Sequence, residues 1–189
     1  MTNIAMTSQQ LRDFIVYVCP MGKLAQQLRA YFDAARAACG LNTAHHYMPH
    51  IPLTGFFYDQ ASAVPLYVSV MDGIVTALLP ERPQAEPAIH MVGMRFQDDF
   101  HYLLVESHWL ARLAAEFAAK ADAPSRSNAI LVKDFLHLSL AYGFQPHHGP
   151  RLAQLARELI TCHSPAGWEL RLYERDKSER WTQHAAWPI

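Results

Sequence analysis

Two eight-residue segments of this chain, His50-Ile51-Pro52-Leu53-Thr54-Gly55-Phe56-Phe57 and His137-Leu138-Ser139-Leu140-Ala141-Tyr142-Gly143-Phe144, follow one pattern. Each has His, an aliphatic residue, a small residue, Leu and, seven residues after the His, Phe. Both read as short strands. Residues two apart on a strand face the same way, so His137 and Ser139 point to one side while Leu138 and Leu140 point to the core. By the same rule His50, Pro52 and Thr54 share a face opposed by Ile51 and Leu53. The fold must bury the aliphatic sides of both strands, and it leaves two polar sides to line a common cleft.

Two histidines facing each other across a phosphodiester suit in-line displacement. A neutral one takes a proton from the attacking water or hydroxyl, and a protonated one donates to the leaving oxygen. No metal or other cofactor is required. Hydroxyls such as those of Ser139 and Thr54 would hydrogen-bond the non-bridging phosphate oxygens, a role that is electrostatic and not nucleophilic.

The rest of the chain supplies a mixed framework. Residues 13–19, DFIVYVC, form a β-branched and aromatic run that stops at Pro20-Met21-Gly22, a buried strand followed by a turn. Leu24, Leu28, Tyr31, Phe32 and Ala35 recur at helical steps from Lys23 to Cys39, and Gly40 ends the helix. Pro49 to Tyr58 is strand-like, and Ser62 to Leu79 predicts a helix with Ser62 as cap. The Pro-interrupted stretch 81–87 reads as a surface loop. Ile89–Phe96 and Phe100–Glu106 form a hairpin through Gln97-Asp98-Asp99, followed by a Ser107-capped helix to about Ala121. Phe135–Phe144 is a strand, Pro150 opens a helix with Leu152, Leu155 and Leu159 on one face, and Trp168–Arg175 is the last strong strand. Hairpins mixed with helices, without a uniform βαβ period, give an α+β class.

At 189 residues, with 51% hydrophobic and 17% charged, the chain is expected to form one domain over 1–189. A net charge of -1 provides no field to gather a long nucleic acid. The first twenty residues lack a basic region ahead of an apolar core, and no later stretch reaches roughly 18 uncharged apolar residues, so neither secretion nor membrane insertion is expected. Cys19, Cys39 and Cys162 are odd in number and widely spaced, which fits core thiols in a reducing, cytoplasmic setting.

The two strands resemble the signature of the 2H phosphoesterase superfamily, a pair of His-x-Thr/Ser strand motifs each flanked by apolar residues. Leu136-His137-Leu138-Ser139-Leu140-Ala141-Tyr142 matches it well. The flanks Pro49-His50-Ile51 and Leu53-Thr54-Gly55-Phe56-Phe57, with Trp168-Glu169-Leu170-Arg171-Leu172-Tyr173-Glu174, look most like the 2H domain of the ubiquitin-associated SH3 domain-containing (TULA) proteins. The resemblance implies a bilobal α+β fold, with antiparallel sheets around a central cleft and helices outside. It also implies hydrolysis of 2′,3′-cyclic phosphates at a nucleotide or oligonucleotide end, or of a related 2′,5′ linkage, with His50 and His137 as the acid/base pair and Ser139 and Thr54 on phosphate. Pro52 stands where the family has Thr or Ser and donates no hydrogen bond. Losing one such donor lowers a rate by roughly 10²–10³, unless Thr54 takes over. The alternative is a catalytically weakened nucleotide-binding module of the same fold.

Other polar and aromatic residues read more simply. His45-His46 with His50, and His147-His148, lack an HExxH frame or carboxylate partners at ligand spacing. Tyr142 faces away from His137 by alternation, and Tyr47, Tyr142 and Trp109 are expected in core or rim packing. Lys133, four residues before His137, could reach the same cleft with a positive charge, but it reads more simply as an exposed lysine at a strand entrance.

Overall fold

The computed structural model describes residues 10–82, 88–162 and 166–189. It is a mixed α/β structure with two antiparallel sheets. The first strand, β1 (Arg12–Pro20), explains the uninterrupted apolar run that announced it, because both of its faces are covered. Phe14, Val16 and Val18 enter the main core, while Ile15, Tyr17 and Cys19 form a second apolar layer with Tyr173, Met48, Phe56 and Trp181. A strand buried on one face only would alternate.

Helix α1 (Gly22–Cys39) follows, with Leu24, Leu28, Tyr31 and Ala35 buried, and ends at Gly40. The strand expected over 49–58 is two shorter ones, β2 (Ile51–Pro52) and β3 (Phe57–Asp59), both paired with β1. Between them the chain turns from β1 to the segment ahead of the second His strand. Lys133 N–H donates to Leu53 O at 2.9 Å, Gly55 N–H to Leu131 O at 2.7 Å, and Thr54 bridges Val132. Where the backbone peels away, Val16 N–H donates instead to the Thr54 hydroxyl at 3.1 Å.

A 3₁₀ turn at Ala61–Ala63 leads into α2 (Val64–Leu78). Ser62 is not its cap: the hydroxyl turns to the Gln60 side chain at 3.4 Å, and Pro65 occupies the first turn. By length and composition Ala61–Leu78, with a mean hydropathy of 1.5, is apolar enough to cross a membrane. Its run is broken by the charge at Asp72, which accepts the Trp187 indole N–H at 2.6 Å, and Tyr67, Met71, Ile74 and Leu78 lie in the main core. The Pro-interrupted loop expected at 81–87 falls for the most part outside the described residues.

The second sheet holds β4 (His90–Phe96), β5 (Phe100–Glu106) and β6 (His137–Tyr142), in that order. The hairpin closes with Gln97 N–H on Phe100 O at 3.0 Å. Ser107 caps α3 (His108–Lys120), accepting Leu110 N–H at 3.1 Å and donating to Ala88 O. Helix α4 (Gly149–Leu159) packs on α1, its Leu152 and Ala156 wholly buried.

Strand β7 (Trp168–Arg175) returns to pair with β1 along its length, and β8 (Trp181–Pro188) adds an outer strand that the sequence reading missed. Its Thr-Gln-His-Ala-Ala centre carries little apolar signal because the strand is paired on one edge only and its residues are mostly exposed or half-buried. The first sheet therefore runs β2-β1-β7-β8, with β3 beside β2 on the same edge of β1. Cys19 is buried, and Cys39 and Cys162 are half-buried against the main core.

Candidate active site

The aliphatic halves of the two His segments behave as their spacing requires. Ile51, Leu53, Leu138 and Leu140 are fully buried in one core, each side chain contributing about 1.5–3 kcal/mol. This burial fixes the orientation of the polar halves. His50 and Thr54, on either side of β2, and Pro52 within it line a single cleft of about 780 Å³ together with His137 and Ser139 of β6.

The histidines are held in the same manner. The Nδ1 of His50 lies 2.6 Å from Met48 O, and the Nδ1 of His137 lies 3.1 Å from Phe135 O, each carbonyl being two residues upstream. A carbonyl only accepts, so Nδ1 carries the proton in both rings, and each neutral imidazole keeps a bare Nε2. Each ring also lies on an aromatic. Tyr17 stacks on His50 at 3.7 Å, and Phe135 stacks on His137 at 4.7 Å, with Phe100 edge-on to His137 at 5.3 Å.

Their environments differ. Burial pushes His50 down to about 4, outweighing the Met48 bond that favours the proton, and His137 adds a small repulsion. His137 is lowered less, first by desolvation and then by the Lys133 ammonium, against the Phe135 bond that raises it. His50 is thus the more firmly neutral ring.

Ser139 is half-buried, and no hydrogen bond within the described residues occupies its hydroxyl. Thr54 is wholly buried, and its oxygen accepts Val16 N–H; its single O–H proton has no other bond among the described residues. Pro52 sits on the cleft wall opposite Tyr17 in the ladder and offers no donor.

Alternation misplaces Tyr142. In the β5–β6 ladder Tyr102 faces Ser139 but His101 faces Ala141, so Leu140 is an extra residue in β6. Such a bulge reverses the facing of everything beyond it. Leu140 and Ala141 are both fully buried, and Tyr142 comes back to the side of His137 and Ser139, lining the cleft. Burial and the neighbouring Tyr47 hydroxyl push the Tyr142 phenol up to about 12, so it remains a hydrogen-bond donor at any working pH.

Tyr47 also lines the cleft, edge-on to Trp181 at 5.7 Å, whereas Trp109 is a core residue that donates to Leu78 O at 3.0 Å. Gly143 follows Tyr142 with φ 65°, and a Cβ there would fall 2.6 Å from Thr43 Oγ1.

Lys133 is exposed yet lines the cleft with Thr54, His137 and Ser139, brought there by the Leu53 bond that crosses between the His segments. The aromatic walls are Tyr17, Phe32, Phe56 and Phe100, with Gln97 and Asp99 at the hairpin end. His45 has local work: its Nδ1 accepts Asn42 N–H at 3.1 Å, and its Nε2 lies 3.0 Å from Phe32 O. Among the described residues no three His, Cys, Asp or Glu side chains gather as a metal-ligand set.

No protein-family profile matches the chain. It is similar to the ubiquitin-associated and SH3 domain-containing protein B of Mus musculus, 29% identical over 170 residues that cover 87% of this chain and 26% of that protein. It is also similar to the ecdysteroid-phosphate phosphatase of Bombyx mori, 27% identical over 185 residues, covering 94% of this chain and 26% of the relative. A Drosophila melanogaster protein of the same name is 29% identical, again over 87% of this chain. The chain spans about a quarter of the length of the curated relatives it matches. The likeness first seen in the strand flanks therefore extends along nearly the whole chain.

Proposed function

We propose that the chain is a metal-independent 2H-type phosphodiesterase that opens the 2′,3′-cyclic phosphate of a nucleotide or short oligonucleotide end, or a related ribose phosphodiester such as a 2′,5′ linkage. The observation that carries this reading is the pair of histidines, His50 ahead of β2 and His137 in β6, each with Nδ1 tied to a backbone carbonyl and Nε2 left for chemistry in one cleft. Phosphoester hydrolysis is also in the name of two of the relatives, although each is about four times as long as the matching region.

His50, held neutral, serves as the base: its Nε2 takes the proton of a water whose oxygen bonds to phosphorus. The bond from phosphorus to one ribose oxygen breaks in line, and His137, having entered protonated, gives its Nε2 proton to that oxygen. The product is a phosphomonoester. Two rings whose proton affinities are set apart by their surroundings suit these opposite tasks. The Ser139 hydroxyl and the remaining Thr54 proton face the non-bridging oxygens.

A cleft with a single lysine on its wall and a net charge of -1 favour a small substrate over a long nucleic acid. Three cysteines with raised or buried thiols fit a reducing, cytoplasmic setting.

Pro52 favours a second reading, a nucleotide-binding module with slowed chemistry. Hydrolysis of a 2′,3′-cyclic nucleotide panel in EDTA, with the native chain, His50→Ala, His137→Ala and the variant carrying both changes, decides between them. Turnover by the native chain that both variants lose supports the enzyme. Tight binding with turnover no faster than the double variant supports the module, and neither activity nor binding removes both.

A further inference from the structure

We infer that Lys133 is the anion anchor of the cleft, a side chain that binds the phosphate together with Ser139 and supplies from the β2 side the contact that Pro52 does not. This rests on the phosphodiester reading of the same cleft. The two His segments are unequal in donors: Ser139 presents a free hydroxyl from β6, its counterpart Pro52 has none, and the oxygen of Thr54 is engaged by Val16 N–H. A phosphodiester anion seated between His50 and His137 would find a donor at Ser139 and the one remaining proton of Thr54, but none at Pro52.

Lys133 lies where that contact is missing. Its backbone N–H is fixed to Leu53 O at 2.9 Å, between Pro52 and Thr54, so its Cα is held against β2 although it belongs to the segment leading into β6. Among the described residues it is the only Lys or Arg lining the cleft, and no carboxylate lies within ion-pair distance of its ammonium. A cation left unpaired on the wall of an aromatic cleft is available to an incoming anion.

The same ammonium acts on His137. The groups around that ring are Lys133, His50, Ser139 and Tyr142, with Tyr102 edge-on from β5, Asp99 on the hairpin wall and the rings of Phe100 and Phe135. The lysine opposes protonation of His137, adding to the larger lowering by desolvation. A bound phosphate anion cancels that opposition, so the arrival of substrate lets the ring take up the proton it must donate.

The test is a titration of the His137 ring resonance by NMR, without and with inorganic phosphate, in the native chain, Lys133→Met and Lys133→Arg. Removing the charge with Lys133→Met is expected to raise the His137 midpoint in the phosphate-free protein and to weaken phosphate binding roughly 10- to 100-fold. Lys133→Arg should keep both close to native. Because Lys133 is exposed, the fold should survive, as the same spectra will show. Unchanged midpoint and phosphate affinity in Lys133→Met would overturn the inference, as would a native chain that binds no phosphate. None of these readouts needs turnover. A chain inactive on cyclic nucleotides but with Lys133-dependent phosphate binding would lose the catalytic reading and keep this one.

Discussion

The ring of Tyr17 lies flat against that of His50, with centroids 3.7 Å apart and planes inclined by 29°. Tyr17 comes from the cleft face of β1 and is almost wholly buried. It therefore fixes the histidine from below while the Met48 carbonyl fixes it at the edge. Tyr17→Leu should loosen this seat and admit water, lowering kcat about tenfold and costing about 1–3 kcal/mol of stability. Tyr17→Phe, which keeps the stacked face, should retain most of the rate. Steady-state kinetics and urea melts on the two variants separate positioning from simple destabilisation.

Stability should fall with acid in a defined window. His50 binds its proton near pH 4 in the folded chain but near 6.5 when unfolded, so the unfolded state gains the proton first. The stabilisation from keeping His50 neutral is complete above pH 6.5 and is lost as pH falls toward 4, by up to roughly 3 kcal/mol. His50→Asn should flatten this dependence in urea unfolding at pH 7 and pH 4.5. A native-like slope in that variant would mean that other groups set it.

The pH–rate profile should reflect the same asymmetry. On the proposed mechanism, with His50 neutral above about 4 and His137 protonated only below its lowered midpoint in the free protein, kcat/KM is expected to be bell-shaped and centred below pH 6.5. The alkaline limb of kcat, read with substrate bound, should lie higher. A rate that rises monotonically across neutral pH is incompatible with this pair.

Thr54→Val removes the acceptor of a buried backbone N–H at Val16. The expected cost is about 1–3 kcal/mol by chemical denaturation, with Thr54→Ser close to native. If KM for a cyclic nucleotide is unchanged in Thr54→Val, the hydroxyl serves the sheet alone; a raised KM assigns its proton to phosphate.

Gly143 and Gly40 both have positive φ, 65° and 79°, but only Gly143 would place a Cβ within 2.6 Å of a neighbour. Gly143→Ala should therefore lose more than the roughly 1–3 kcal/mol expected of Gly40→Ala, and it should raise KM through the displaced Tyr142. Adding Thr43→Ala should recover part of the loss, measured as a thermodynamic cycle.

Much of this arrangement was legible in the residues. The sequence placed His50, His137, Ser139 and Thr54 on one side of their strands and their aliphatic partners in the core, because burial of Ile51, Leu53, Leu138 and Leu140 leaves a period-two strand no other choice. It also located α1, the 97–99 hairpin and the Ser107 cap, where local chemistry and tertiary packing agree. It failed where the deciding contact is distant. Nothing in Leu140 announces the bulge that turns Tyr142 into the cleft. Lys133 becomes a wall residue only through a bond to Leu53, eighty positions away. Strand β8 has weak apolar alternation and exists because β7 offers an open edge, and the break between β2 and β3 follows from pairing with 131–133.

The five-stranded sheet is assembled from the two ends of the described chain, since β1 (Arg12–Pro20) is flanked by β7 (Trp168–Arg175), with the three-stranded sheet encoded between them. During synthesis, then, the platform beneath His50 stays half-made until residues beyond 168 have left the ribosome. A contact of such long range forms late in folding. Chains that stop short of β7 would carry both histidines and still lack a working cleft, so any activity the protein has waits on β7 and β8.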